Sequence, residues 1–343
     1  MFLLNYFAKY KDNKLMKFAL FQLPFIVLLG FFCTGCSLTY NLNQPVPPTV
    51  TYDLAVKKNE IIMNIIDNRV DTKFTKGITG LQSLDIKIGN VNDPIAWLAE
   101  SLNNEFRNRG ISIKINNKDD NVASPDIVLT INKYQIVSSR TSGFHPYVAY
   151  HSFSGKLQNN ELNSMVIAYF LYGKTPIWSM GEIQAPCFDM PMSILVKEIA
   201  AKINRISLHY SLSDQQLENL NIQVEEKIKM AAPDAYLSVL DLGASNNPKA
   251  MDYLVRLADA DDTLIRACAL SAIGMLGADG KLDFLKGKYA QYVDIDRFMA
   301  LKSIGDIGTP EAIDFIKNAR QDPQYDNDNG FKFCVDLYLE ASQ

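Results

Sequence analysis

The 343-residue chain is poor in the residues that most often advertise chemistry, with three histidines, two tryptophans and five cysteines. Cys33 lies in an amino-terminal leader and Cys36 directly follows it; the other three, at 187, 268 and 334, are an odd number without CxxC spacing. That pattern argues against a disulfide framework and against a zinc site. Gly-x-Ser-x-Gly, His-Glu-x-x-His and phosphate-loop motifs are absent, so the sequence offers no hydrolase or nucleotide-binding signature. An excess of positive charge is missing too. Four lysines and one aspartate precede Cys36, which leaves 30 basic and 37 acidic side chains from that residue on, a net of −7. A mildly acidic body argues against non-specific nucleic-acid binding and against electrostatic adhesion to anionic lipid. No apolar run reaches the ~20 residues that span a bilayer. What is present is ordinary globular material, 48% hydrophobic and 21% charged, long enough for about two domains.

The most informative stretch is Leu28-Leu29-Gly30-Phe31-Phe32-Cys33-Thr34-Gly35-Cys36. It closes a mostly apolar run, residues 18–32, that follows Lys17, the layout of a signal peptide with either Met16 or Met1 as its start. Cys33-Thr34-Gly35-Cys36 resembles the lipobox of bacterial lipoproteins, with Cys33 where leucine is usual. The resemblance implies that residues 1–35 are removed and that Cys36 carries a thioether-linked diacylglycerol and an amide-linked acyl chain such as palmitate. Ser37, where lipoproteins kept at the inner membrane often have Asp, implies the outer membrane, facing the periplasm. Two or more chains anchor stably, whereas one binds reversibly. Residues 37–51 hold Pro45, Pro47 and Pro48 and no charge, and predict an extended tether that holds the body off the membrane.

Residues 52–212 read as an α+β domain, helices on one face of a mostly antiparallel sheet. Strands are predicted at 60–66, 83–88, 111–115, 126–137, 164–172 and 177–184. Asp93 as N-cap and Pro94 at the first helical position start a helix whose Ile95, Leu98, Leu102 and Phe106 share one face. A second helix opens at Asp189 and Pro191. Asp67-Asn68-Arg69, Ile88-Gly89, Arg109-Gly110 and Pro125-Asp126 resemble the YajG-type bacterial lipoproteins, a resemblance that implies an envelope location and no enzyme activity. Residues 144–151 gather two histidines and three aromatics but no third ligand in reach, so no metal or other cofactor is expected there. Phe144, His145, Tyr147 and Tyr150 are instead the candidate partner-contact patch, since aromatic side chains anchor interfaces.

Beyond Ser213 and Gln216, which have capping-box spacing, the chain repeats itself. Ala269-Leu270-x-x-Ile273-Gly274-x-x-Gly277 returns 31 residues later as Ala300-Leu301-x-x-Ile304-Gly305-x-x-Gly308. The pattern resembles HEAT repeats of the phycobilisome-lyase type and implies an all-α solenoid over 213–343, with the glycines ending helices. Asp262, Lys302 and Asp306 fall between the apolar motif positions and are expected on the exposed groove, as contacts for a partner. The function expected from all this is a membrane-anchored, non-enzymatic envelope lipoprotein that binds another protein, without nucleic acid. The alternative is an accessory lipoprotein of an envelope transporter or secretion system that handles a lipid or small ligand.

Overall fold

A computed structural model describes residues 38–52, 60–79, 82–84, 86–117, 124–140, 146–158, 160–170, 180–277 and 280–340. Cys36, Phe144 and His145 lie outside them. The longest strand, β7 (Ile127–Arg140), buries Ile127, Leu129 and Ile131 on one face, as its alternation predicts. Against one side of β7 run β2 (Ile61–Asp67), from Met63↔Ile127 to Asp67↔Ile131, and β3 (Thr75–Thr79), from Thr75↔Ile136 to Thr79↔Arg140, both in parallel. Along the other side run β8 (Tyr147–Leu157) and then β9 (Asn160–Phe170), antiparallel. β4 (Gln82–Leu84) pairs antiparallel with β3, and β6 (Ile113–Asn116) pairs parallel with β2. The sheet is therefore mixed, not mostly antiparallel. The cause is connectivity: β2 leads to β6 and β7 through helix α1 (Pro94–Asn108), a crossover long enough to return the chain in the same direction. The strand predicted at 177–184 is also corrected: of its described residues, Met180–Ile183 form a single 3-10 turn that contains Gly181, and Gln184 is helical, ahead of Pro186.

Helix α1 starts as its sequence dictates. The Asp93 carboxylate accepts from the amides of Ile95 and Ala96, and Pro94 occupies the first turn, where no amide donor is needed. Helix α2 (Met190–Ile203) is apolar on nearly every side and is buried from Pro191 to Ile203. It packs on α1, β8 and β9 and also on two helices of the carboxy-terminal region. That region is helical: α3 (Asp214–Lys229), α4 (Ala235–Ala244), α5 (Ala250–Leu257), α6 (Thr263–Leu276), α7 (Leu282–Gln291), α8 (Asp294–Ile307), α9 (Pro310–Asn318) and α10 (Asn329–Glu340). The Ser213–Gln216 capping box forms in full. Helices α4, α6 and α8 pack one on the next. Among the described residues, no helix is long and apolar enough to cross a membrane.

The motif glycines divide into two kinds. Gly277 (φ +83°) and Gly308 (φ +68°) end α6 and α8 in the left-handed conformation, as expected. Gly243, Gly274 and Gly305 do not end helices; they lie within α4, α6 and α8. A Cβ at Gly243 would stand 2.7 Å from the Ala272 Cβ, one at Gly274 3.1 Å from the Ser303 Cα, and one at Gly305 2.5 Å from the Tyr338 ring. Each lets the following helix approach closely, which a helix-end reading of the motif misses.

The expected tether is a strap. Leu38–Tyr40 forms β1, paired in parallel with β5 (Ile86–Ile88), and Tyr40 stacks on Phe188 with ring centroids 4.9 Å apart. Leu42 and Tyr52 are buried. The three prolines bring no amide donors, and three amides along the segment are satisfied by the body. Asn43 N donates to Asp189 (2.9 Å), Val46 N to Ser193 (3.0 Å) and Thr49 N to Asp241 (2.9 Å). The same prolines that suit a free polyproline segment thus suit an extended one laid on a surface. The sequence pattern does not separate the two.

Candidate functional site

Helix α2 carries Lys197, Glu198 and Lys202 into the interior, where a charge must find a partner. Two neutral clusters result. In the first, the Lys197 Nζ lies 3.3 Å from Glu105, Arg109 bonds Glu105 at 2.8 Å, and Arg109 bonds Asp241 of α4 at 2.7 Å. Asp241 also accepts the amide and hydroxyl of Thr49, so the strap ends in this cluster. Burial works against the Asp241 carboxylate, but Arg109 and Lys197 outweigh it and hold its pKa below the usual value. Through Arg109, which bonds both Glu105 and Asp241, the cluster joins α1, α2 and α4.

In the second cluster, Lys202 donates to Glu198 (2.7 Å), to Asp306 of α8 (2.7 Å) and to the Asn163 carbonyl of β9 (2.6 Å). Lys302 contacts Glu198, Asp306 (3.0 Å) and the Ser271 hydroxyl (3.0 Å), and the Tyr338 hydroxyl donates to Asp306. Burial pulls the Lys202 ammonium down, while for Lys302 the carboxylates of Asp306 and Glu198 outweigh burial and raise it. The expectation that Lys302 and Asp306 sit on an exposed groove is overturned: their side chains are 0% and 1% exposed. Their i, i+4 spacing looks like a surface pair, yet α2 supplies a second pair of opposite charges directly over them. Asp262 is exposed as expected, where it caps α6 by accepting from Leu264 and Ile265.

Above the second cluster opens a cleft of about 680 Å³ between the start of β9, the end of α2 and the α8–α9 turn. Lys202, Asp306 and Tyr338 form part of its wall, together with Glu161, Arg205 and Lys317. Two of its features are unspent. β9 pairs with β8 alone among the described strands, so its outer edge faces this side of the molecule. The half-buried Arg205 leaves its Nε buried without a hydrogen-bond partner. Its guanidinium lies over Gly277, where a Cβ would come within 2.5 Å of Nη1. The cleft's lining holds no serine, cysteine or histidine. It offers backbone and side-chain hydrogen bonds and three cations, of which Lys202 and Lys317 are paired with carboxylates, rather than a nucleophile with its base. Sequence reasoning missed it because its parts come from four separate segments.

The described part of the aromatic patch expected at 144–151 is not a surface. Tyr147 and Tyr150 are 2% and 6% exposed. β8 is covered on both faces, so alternate residues both meet cover. Tyr150 packs on Phe333 of α10 and Tyr147 on Phe188. Phe144 and His145 lie outside the described residues. His151, fully buried, places Nε2 2.7 Å from the Cys187 carbonyl, which sets it as a neutral donor. Burial pulls its pKa to about 4 from 6.5. A folded value below the unfolded one means that the unfolded chain binds the extra proton between these limits. Stability should therefore fall as pH drops from 6.5 to 4, by up to roughly 3 kcal/mol, and this loss should level off below 4. Urea unfolding across that range should show a shallower acid slope in His151→Gln than in the parent; equal slopes would remove His151 from the account. Asp241 and Asp306 act in a lower window. Their depressed pKa values add stability above the unfolded value of 3.8 that is lost as pH falls through the folded ones.

No family model matches the chain, and no curated protein matches it.

Proposed function

We propose that this protein is a lipid-anchored envelope lipoprotein, held at the outer membrane through Cys36, that docks another protein without acting as an enzyme. The observation that carries this reading is the cleft, where the start of β9, which pairs with β8 alone among the described strands, meets Arg205, whose buried Nε has no hydrogen-bond partner. A strand edge presents backbone donors and acceptors in the spacing an extended polypeptide needs, and a nearby cation favours an acidic side chain or carboxylate on it. The helical region is proposed as a short solenoid of HEAT type. Contacts one repeat apart support it: Ser271 with Lys302, 31 positions on, and Glu225 with Arg256, again 31. A stacked scaffold of that kind carries binding surfaces rather than catalytic pockets. The transporter-accessory alternative needs a deep apolar chamber. The cleft described above and a second, of about 410 Å³ beside Ile61, Asp126 and Tyr210, both open to solvent.

Two measurements test the reading. Cys36→Ser should abolish labelling by a palmitate analogue and send the body into the aqueous phase; unchanged labelling ends the lipoprotein assignment. A photocrosslinker at Glu161 should give a discrete adduct in intact envelopes, and Arg205→Glu should weaken it several-fold. An adduct that persists at full strength in Arg205→Glu moves the docking site away from the cleft.

A further inference from the structure

The strap fixes how far the body can stand from a lipid on Cys36. β1 begins at Leu38, in register with β5 from Leu38↔Ile86 to Tyr40↔Ile88. One residue, Ser37, separates Leu38 from Cys36, and two peptide units reach at most about 7 Å. The headgroup layer of each leaflet is of similar depth, roughly 6 Å. We propose that the lipidated protein has no free tether and that its body rests on the bilayer through the β1–β5 ribbon. This rests on the lipid at Cys36 proposed above.

Freeing the strap would undo contacts along its whole length. Tyr40 would leave Phe188, Leu42 would leave the core, and Asn43 would lose both bonds to Asp189. Thr49 would abandon Asp241, which needs those donors to offset its burial. The occupant is set by where the chain leads. β1 runs parallel to β5, and β5 follows β4, whose start pairs with the end of β3 at Thr79↔Gln82. The Ile86 carbonyl accepts from the Thr75 hydroxyl, so β5 continues the direction of β4, and β1 read back from Tyr40 to Leu38 points toward the end of the sheet where β3 and β7 finish, at Thr79↔Arg140. That end is the one to face the lipid. The docking cleft lies at the other end, since β9 starts opposite Leu157 and Leu157 opposite Leu129. Leu129 and Ser139 of β7 are ten residues apart, roughly 33 Å. The seated body thus holds the cleft away from the bilayer without a flexible spacer.

The test uses the acylated full-length protein in vesicles of phosphatidylethanolamine and phosphatidylglycerol that contain a headgroup-nitroxide lipid. A fluorophore is placed at Lys87→Cys, exposed on β5, or at Lys156→Cys, exposed at the cleft end. Cys187, Cys268 and Cys334 are buried, which directs labelling to the introduced thiol. Position 87 reports the body rather than the strap, so a detached strap does not mimic seating. Quenching at 87 should exceed that at 156 several-fold. A twenty-residue Gly/Ser insertion between Ser37 and Leu38, roughly 25 Å in mean span, should bring it down to the level at 156. An acylated protein whose probe at 87 is quenched no more than that at 156 overturns the seated body and leaves the lipoprotein reading standing. A parent protein without acyl label overturns both.

Discussion

Lys302→Met should lose about 3–5 kcal/mol of stability, although it replaces a side chain of similar length in a helix. The reason is charge balance. Lys302 is fully buried between Glu198 and Asp306, with Lys202 as the only other cation of the cluster. Without it, two carboxylates share one ammonium away from water. The double variant Glu198→Gln/Lys302→Met restores neutrality, leaving Lys202 on Asp306 at 2.7 Å. It should recover at least half of the loss. Urea midpoints followed by far-ultraviolet circular dichroism decide the matter. A Lys302→Met midpoint near the parent's would contradict burial of the cluster, because exposed substitutions usually cost under about 0.5 kcal/mol. A double variant worse than the single would show that packing, and not charge, sets the cost.

A fragment that starts at Ser213 should not fold cooperatively by itself. The repeats suggest an independent unit, but the fold gives it a shared interior. Removing residues before 213 strips α2 from α4 and α6. It takes Arg109 and Lys197 from Asp241, and Glu198 and Lys202 from Lys302 and Asp306. Tyr52, whose hydroxyl donates to the Ala244 carbonyl at 2.5 Å, goes too. A domain is stable by only about 5–15 kcal/mol, and each orphaned buried charge costs several. The expected outcome is a weakly helical or aggregating fragment whose helicity rises when residues 36–212 are supplied in trans. A sharp, native-like urea transition for the fragment alone would refute it.

Much of the local structure was legible because its causes are local. Asp93 and Pro94 announce a helix start through one carboxylate and one missing amide, and the fold uses both. Ser213 and Gln216 close a box within four residues. Asp67 and Arg69, two residues apart at the end of β2, bond at 2.8 Å. The 31-residue repeat placed α6 and α8 because apolar periodicity is a property of each helix alone. The site residues were not legible in the same way. Lys302 stands between Leu301 and Ser303 in a motif that otherwise fills the core, and nothing nearby says whether its ammonium meets water or Glu198, 104 residues earlier. Tyr147 and Tyr150 read as an exposed patch because cover on the second face of β8 comes from α10, at the far end of the chain.

By itself, then, the sequence determined the caps, the helix and strand periodicities and the repeat, since each depends on backbone geometry over a few residues. The tertiary structure alone decided which charges are inside, which glycines serve contact and whether the proline-rich segment hangs free. Burial is a property of what packs on top. A buried charge is tolerable only where an opposite one arrives from elsewhere in the chain, and α2 brings those partners to α1 and α8 at once.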